Sequence, residues 1–114
     1  LSRAIDVNSF TINGRTFDTS SASTVAISRG SAGPYSPMFQ EYPGCESVRY
    51  EDVLYRTAKG AWFVHEHRTI KYQRGKPVVE DGSYELTPAD VSGWIQNNNA
   101  SIVDPTGLSL PEEA

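Results

Sequence analysis

The reactive side chains of this 114-residue chain are few: two histidines, His65 and His67, and a single cysteine, Cys45. His65-Glu66-His67 is the first arrangement that could do chemistry. On a strand, positions i and i+2 face the same side, so both imidazoles can reach one metal ion. A catalytic zinc site takes three protein ligands, and with no other histidine the third must be a carboxylate or Cys45. The plainer reading places both histidines on the solvent face of a strand near its end, and no metal or cofactor is then expected. Cys45 follows Pro43-Gly44 and enters a strand, where no helix dipole lowers its pKa, so a nucleophilic role is not expected. One cysteine also excludes an internal disulfide and a multi-cysteine zinc site, and it fits a reducing compartment such as the cytoplasm.

Arg68, Lys71, Arg74 and Lys76 fall within nine residues, with Tyr72 among them and no acid between. A basic hairpin carrying an aromatic is a nucleic-acid contact in some proteins, but the net charge of -4 argues against broad phosphate affinity. The four cations and Tyr72 read better as a surface for a protein. Phosphate-cradling glycine loops, nucleophile elbows and metalloprotease helix motifs do not occur. Trp62, Phe63, Trp94, Tyr50 and Tyr55 read as core.

The elements that position these residues follow from turn and periodicity signals. Phe10 to Phe17 holds an Asn13-Gly14 pair between β-formers, which predicts a tight hairpin. Ala22 to Ser28 suits a short helix or a strand; Val25 and Ile27 alternate with small residues, which leans towards strand. Residues 30–45 contain three prolines and three glycines, so no regular element is expected there. Tyr35, Met38, Phe39 and Tyr42 nevertheless make the stretch too apolar for a linker. It should lie across the core, with Tyr35 and Phe39 offered to a partner. Val48 to Thr57, Ala61 to His67, Thr69 to Tyr72 and Pro77 to Glu80 read as strands. Short turns separate them, Asp81-Gly82 included, and together they describe an antiparallel meander. On the strand from Ala61, Trp62, Val64 and Glu66 face one way and Phe63, His65 and His67 the other. Thr87, Pro88 and Asp90 announce a helix with a capping box. Leu86 and Val91 form its staple, Val91, Trp94 and Ile95 its buried face, and Asn97 to Asn99 its end.

Length favours one domain, and the apolar share of 38% with abundant Gly, Pro, Ser and Asn suggests a loop-rich one. No apolar run approaches the roughly 20 residues of a membrane span, so no membrane partner is expected. The charge is uneven. Residues 1–44 are neutral and residues 45–80 carry +2, while residues 81–114 hold six acids and no base. The expected organisation is an α+β domain over residues 1–100, with an antiparallel sheet of about five strands and one C-terminal helix packed on it, followed by an acidic tail over residues 101–114.

Three blocks carry a resemblance: Ile12 to Thr19, Tyr50 to His65 and Tyr84 to Ile95. The chain resembles a set of short bacterial proteins associated with prophages and other mobile elements. Those have an early aromatic-Asp-Thr segment, a Leu-Tyr-Arg-Thr hairpin with glycine before an aromatic pair, and a closing Thr-Pro helix with tryptophan. Here these are Phe17-Asp18-Thr19, Leu54-Tyr55-Arg56-Thr57 with Gly60 before Trp62-Phe63, and Thr87-Pro88 with Trp94. The departure is the basic Arg68 to Lys76 hairpin, where such proteins often carry a long glycine-rich loop. The resemblance implies a cytoplasmic accessory protein that acts by binding, and it transfers no catalytic residue. The leading expectation is a non-enzymatic protein-interaction module, an anti-CRISPR-like inhibitor of a host defence machine, with Arg68, Lys71, Tyr72, Arg74, Lys76, Tyr35 and Phe39 as its contact surface. A metal-dependent enzyme using His65 and His67 is the rival. An oligomeric virion protein is a third alternative, and homodimerisation stays open.

Overall fold

A computed structural model describes residues 9–12 and 14–104. The elements are β1 (Ser9–Ile12), β2 (Arg15–Asp18), β3 (Ser23–Ala32), α1 (Pro37–Gln40), β4 (Cys45–Arg56), β5 (Trp62–Tyr72), β6 (Val78–Leu86), α2 (Pro88–Asn97) and β7 (Ser101–Ile102). The first two strands pair as a hairpin of their own, and the other five form one antiparallel sheet in the order β6-β5-β4-β3-β7. The α+β class, the five-stranded sheet and the C-terminal helix agree with the sequence. The expected looseness does not, because β3 to β6 are each 9–12 residues long. Alternation of β-branched and aromatic residues along them outweighs a polar composition.

Three local expectations need correction. The ladder of β6 runs unbroken through Asp81 and Gly82, which face His67 and Glu66 on β5, so this pair is strand rather than turn. The span 30–45 is not free of regular structure: β3 continues to Ala32, and a single helical turn, α1, starts at Pro37. Ser36 caps that turn by accepting from the Phe39 N–H, and proline tolerates the first helical position because it has no donor to lose. At α2, the Thr87 side chain makes no bond to the helix backbone; its hydroxyl donates instead to Asp90, at 2.7 Å. The short aspartate side chain draws the hydroxyl away from the backbone donors.

One sheet face carries α2 at one end and the segment after α1 farther along. Val25, Ala26, Leu54, Trp62 and Val64 meet Val91 and Trp94 of α2 there, with Tyr84, Leu86 and Ile95 at the margin. Farther along the same face lie the buried Val48 and Ile70 and the half-buried Arg68. The segment after α1 crosses here, tied by the Tyr42 hydroxyl to Glu80 on β6. Phe39 is half-buried, as a strap over the core requires, whereas Tyr35 is 91% exposed. Val25 is the extra residue of a bulge in β3, where the register against β4 slips between Thr24 and Ala26. Its carbonyl accepts from the Val103 and Asp104 N–H groups. The chain after residue 100 thus rejoins the sheet as β7 before it reaches the rest of the expected tail, residues 105–114, which lie outside the described residues.

Among the described residues, the opposite face is covered only at one end. The β1–β2 hairpin lays Phe17 against Phe63, ring centroids 5.1 Å apart, and Arg15 reaches Glu85 at 3.0 Å. Tyr55 also stacks on Phe63. Beyond Phe63 the face opens, and there His65 and His67 stand.

Candidate functional site

The open face is built on a cross-strand row fixed by register. Arg29 on β3 faces Glu51 on β4, Glu51 faces His67 on β5, and His67 faces Asp81 on β6. Because i and i+2 share a face, His65 stands beside His67, opposite Ser83. The row alternates basic and acidic side chains, and its members are already engaged with one another. Arg29 and Glu51 form an ion pair at 2.7 Å. His67 Nδ1 and His65 Nε2 each lie 2.7 Å from the same oxygen of Asp81, Oδ1.

The choice of nitrogens follows from position. His67 is directly across the ladder from Asp81, so the near nitrogen, Nδ1, suffices. His65 approaches on the diagonal, where backbone separations are about 7–8 Å, and needs the far nitrogen, Nε2. The rings stand nearly perpendicular, at 84°. The three side chains are 16% (His65), 35% (His67) and 24% (Asp81) exposed, so the cluster is held by protein on one side and opens to water on the other. Partial burial pushes the Asp81 carboxyl up. The hydrogen bonds and charge of His67 and His65 outweigh that, and the group ends below the ordinary carboxylate value.

Asp81 is the residue that reading the sequence missed. Asp-Gly is a strong turn signal, and it drew attention from the alternation Val79, Asp81, Ser83, Glu85, which places Asp81 on the histidine face. The carboxylate that two strand histidines require was thus present, sixteen residues along the chain.

The basic residues do not converge. Arg68 turns to the helix-covered face, where it pairs with the buried Asp52 and lies 3.5 Å from Glu66. Burial pushes its guanidinium pKa down, but the hydrogen bond and charge of Asp52 carry it above the ordinary value. Burial likewise raises the Glu66 carboxyl. Lys71 is exposed, 3.9 Å from Glu46, and belongs by register to the histidine face; Tyr72 is half-buried. Arg74 and Lys76 extend from the exposed turn between β5 and β6, and Tyr35 and Phe39 belong to the strap on the other side. Cys45 sits at the far end of the ladder opposite Tyr72, its thiol directed at the Phe39 carbonyl, and does not meet the histidines.

A depression of about 400 Å³ next to His67 is lined by Arg29, Ser31, Arg49, Glu51 and Thr69. Among the described residues no helix is long and apolar enough to cross a membrane. No protein-family model, curated protein or solved structure matches the chain.

Proposed function

We propose that this domain is a protein-interaction module whose working surface is the uncovered half of its sheet. The observation that carries the reading is the unequal covering of the two faces. Among the described residues, one holds α2 and the strap, while the other holds only a four-residue-stranded hairpin and leaves a fixed polar row in water. Arg29, Glu51, His65, His67 and Asp81 are paired before any partner arrives, so binding orders few side chains and forfeits little entropy. Arg49, Thr69 and Lys71 extend the row and give it a basic margin that suits an acidic protein surface. Arg74 and Lys76 lie at its end, while Arg68, Tyr72, Tyr35 and Phe39 belong to other surfaces. The mobile-element resemblance supplies the setting: a cytoplasmic accessory protein that covers part of a host machine, such as a defence complex.

The test is capture from a bacterial host lysate with three baits: the native chain, the double variant Arg49→Glu/Lys71→Glu, and Lys59→Glu in the turn between β4 and β5. The expected result is one stoichiometric protein recovered by the native chain and by Lys59→Glu and lost with the double variant. Recovery that is equal across all three, or of nucleic acid alone, refutes the reading.

A further inference from the structure

We infer that His65, His67 and Asp81 form a binding site for a divalent first-row transition-metal ion, with three protein ligands and the remaining coordination positions turned to solvent. One ring nitrogen from each histidine and an Asp81 carboxylate oxygen lie within 4.8 Å of one another, and His65 Nε2 and His67 Nδ1 are the nitrogens that touch the carboxylate. Two imidazoles and one carboxylate on one side of an ion is a donor set that zinc and ferrous iron accept, with positions left open. Calcium and magnesium prefer oxygen donors throughout, and the two nitrogens select against them.

The donors are gathered at hydrogen-bonding distances, and an ion must draw them to its own spacing. A tetrahedral ion about 2.0–2.1 Å from each donor keeps its donors about 3.4 Å apart, and an octahedral one keeps adjacent donors about 3.0 Å apart. The two nitrogen–oxygen separations here are 2.7 Å, shorter than either, and both are to Oδ1, so the Asp81 carboxylate must swing out from between the nitrogens for an ion to enter. Strand register supplies the rest. The ligands come from β5 and β6 within one continuous ladder, so their backbones are fixed before an ion arrives.

The proton count also closes. In the free cluster His65 Nε2 and His67 Nδ1 each give a hydrogen to the Asp81 carboxylate, which can only accept. Binding requires a lone pair on those nitrogens, so the hydrogen leaves each of them: a neutral ring carries it on the other nitrogen instead, and a protonated ring gives it up to solvent. Coordination therefore strips the hydrogen from His65 Nε2 and His67 Nδ1, and a cluster that only holds two strands together has no reason to do so.

The experiment uses the full chain freed of metal by chelation, with Zn²⁺ and Co²⁺ as probes. Calorimetry with Zn²⁺ is expected to show one equivalent bound, and Asp81→Asn and His67→Gln each to weaken it at least about tenfold, with Cys45→Ser unchanged. Imidazole nitrogen spectra of the native chain are expected to show His65 Nε2 and His67 Nδ1 lose their hydrogens on adding Zn²⁺. Co²⁺ is expected to give visible absorption bands. These two readouts on the native chain stand even where a variant fails to fold. Absence of saturable Zn²⁺ binding overturns the site, and so does binding lost in Cys45→Ser but kept in His67→Gln. Hydrogens kept on these two nitrogens at saturating Zn²⁺ overturn it as well. The outcome is independent of whether a protein partner is captured.

Discussion

The ring of Tyr50 lies over Gly30, its cross-strand neighbour, so closely that a Cβ on residue 30 would stand 2.8 Å from the tyrosine hydroxyl oxygen. Glycine is used here for space, and the ring fills the room that a missing side chain leaves in β3. Arg68 lies 5.9 Å from the same ring, so Tyr50 also shields the buried cation.

Gly30→Ala must push that ring aside, and the expected loss is about 1 kcal/mol from overpacking, part of it offset by a stiffer unfolded chain. In a Tyr50→Leu background the same substitution should be neutral or stabilising. Denaturant unfolding of the four proteins in the cycle measures the coupling. Equal effects in both backgrounds would show that the contact is immaterial.

Asp52 and Arg68 form an ion pair on the covered face, with side chains 6% and 13% exposed. Asp52→Asn leaves the guanidinium short of its counter-charge and should cost about 3–5 kcal/mol, whereas Asp52→Leu with Arg68→Met should cost clearly less. Chemical denaturation decides between them. A double variant as unstable as Asp52→Asn is the contrary result.

The Trp94 indole N–H donates to the Tyr84 hydroxyl at 2.8 Å, joining α2 to β6. Tyr84→Phe removes the acceptor and should lower stability by about 1 kcal/mol. Tryptophan near-ultraviolet dichroism should change with it. An unchanged spectrum and midpoint would remove this bond from the account.

Burial, and then the bond to Glu80, push the Tyr42 phenol from 10.0 up to about 12. Its folded-state pKa is raised, so the neutral phenol's contribution is full below the unfolded value and is lost as pH rises from about 10 through 12. Tyr42→Phe should therefore be less stable than the native chain near neutrality, and the gap should close across that window. Urea unfolding at stepped alkaline pH measures it, and a gap that stays constant refutes the assignment. Tyr55 and Tyr84, also raised by burial, supply an alkaline slope that both proteins share.

Much of the fold is legible locally. Gly14 takes the positive φ that a hairpin after Asn13 demands, and α2 starts after Thr87 and buries Val91 and Trp94. Asn99, in the left-handed region at φ 50°, ends the helix as expected. What escaped depends on pairing between distant segments. Asp81-Gly82 has turn chemistry, but a full ladder with β5 overrides it, and with that override comes the third side chain of the candidate site. Arg68 looked like a surface cation because its partner Asp52 is sixteen residues away and only register brings the two together. Spacing placed His65 and His67 on one face, but it could not say what stood opposite.

The strand order has a kinetic consequence. From β3 to β6 each strand lies beside the next one in sequence, and the connections 57–61 and 73–77 are five residues each. Such a sheet zips from hairpin to hairpin with little entropy lost to loop closure. Among the described strands of this sheet, only β7 must return across it to reach β3. His65, His67 and Asp81 lie within the local part, so their constellation can assemble early from the β5–β6 hairpin, ahead of the one strand that closes the far edge.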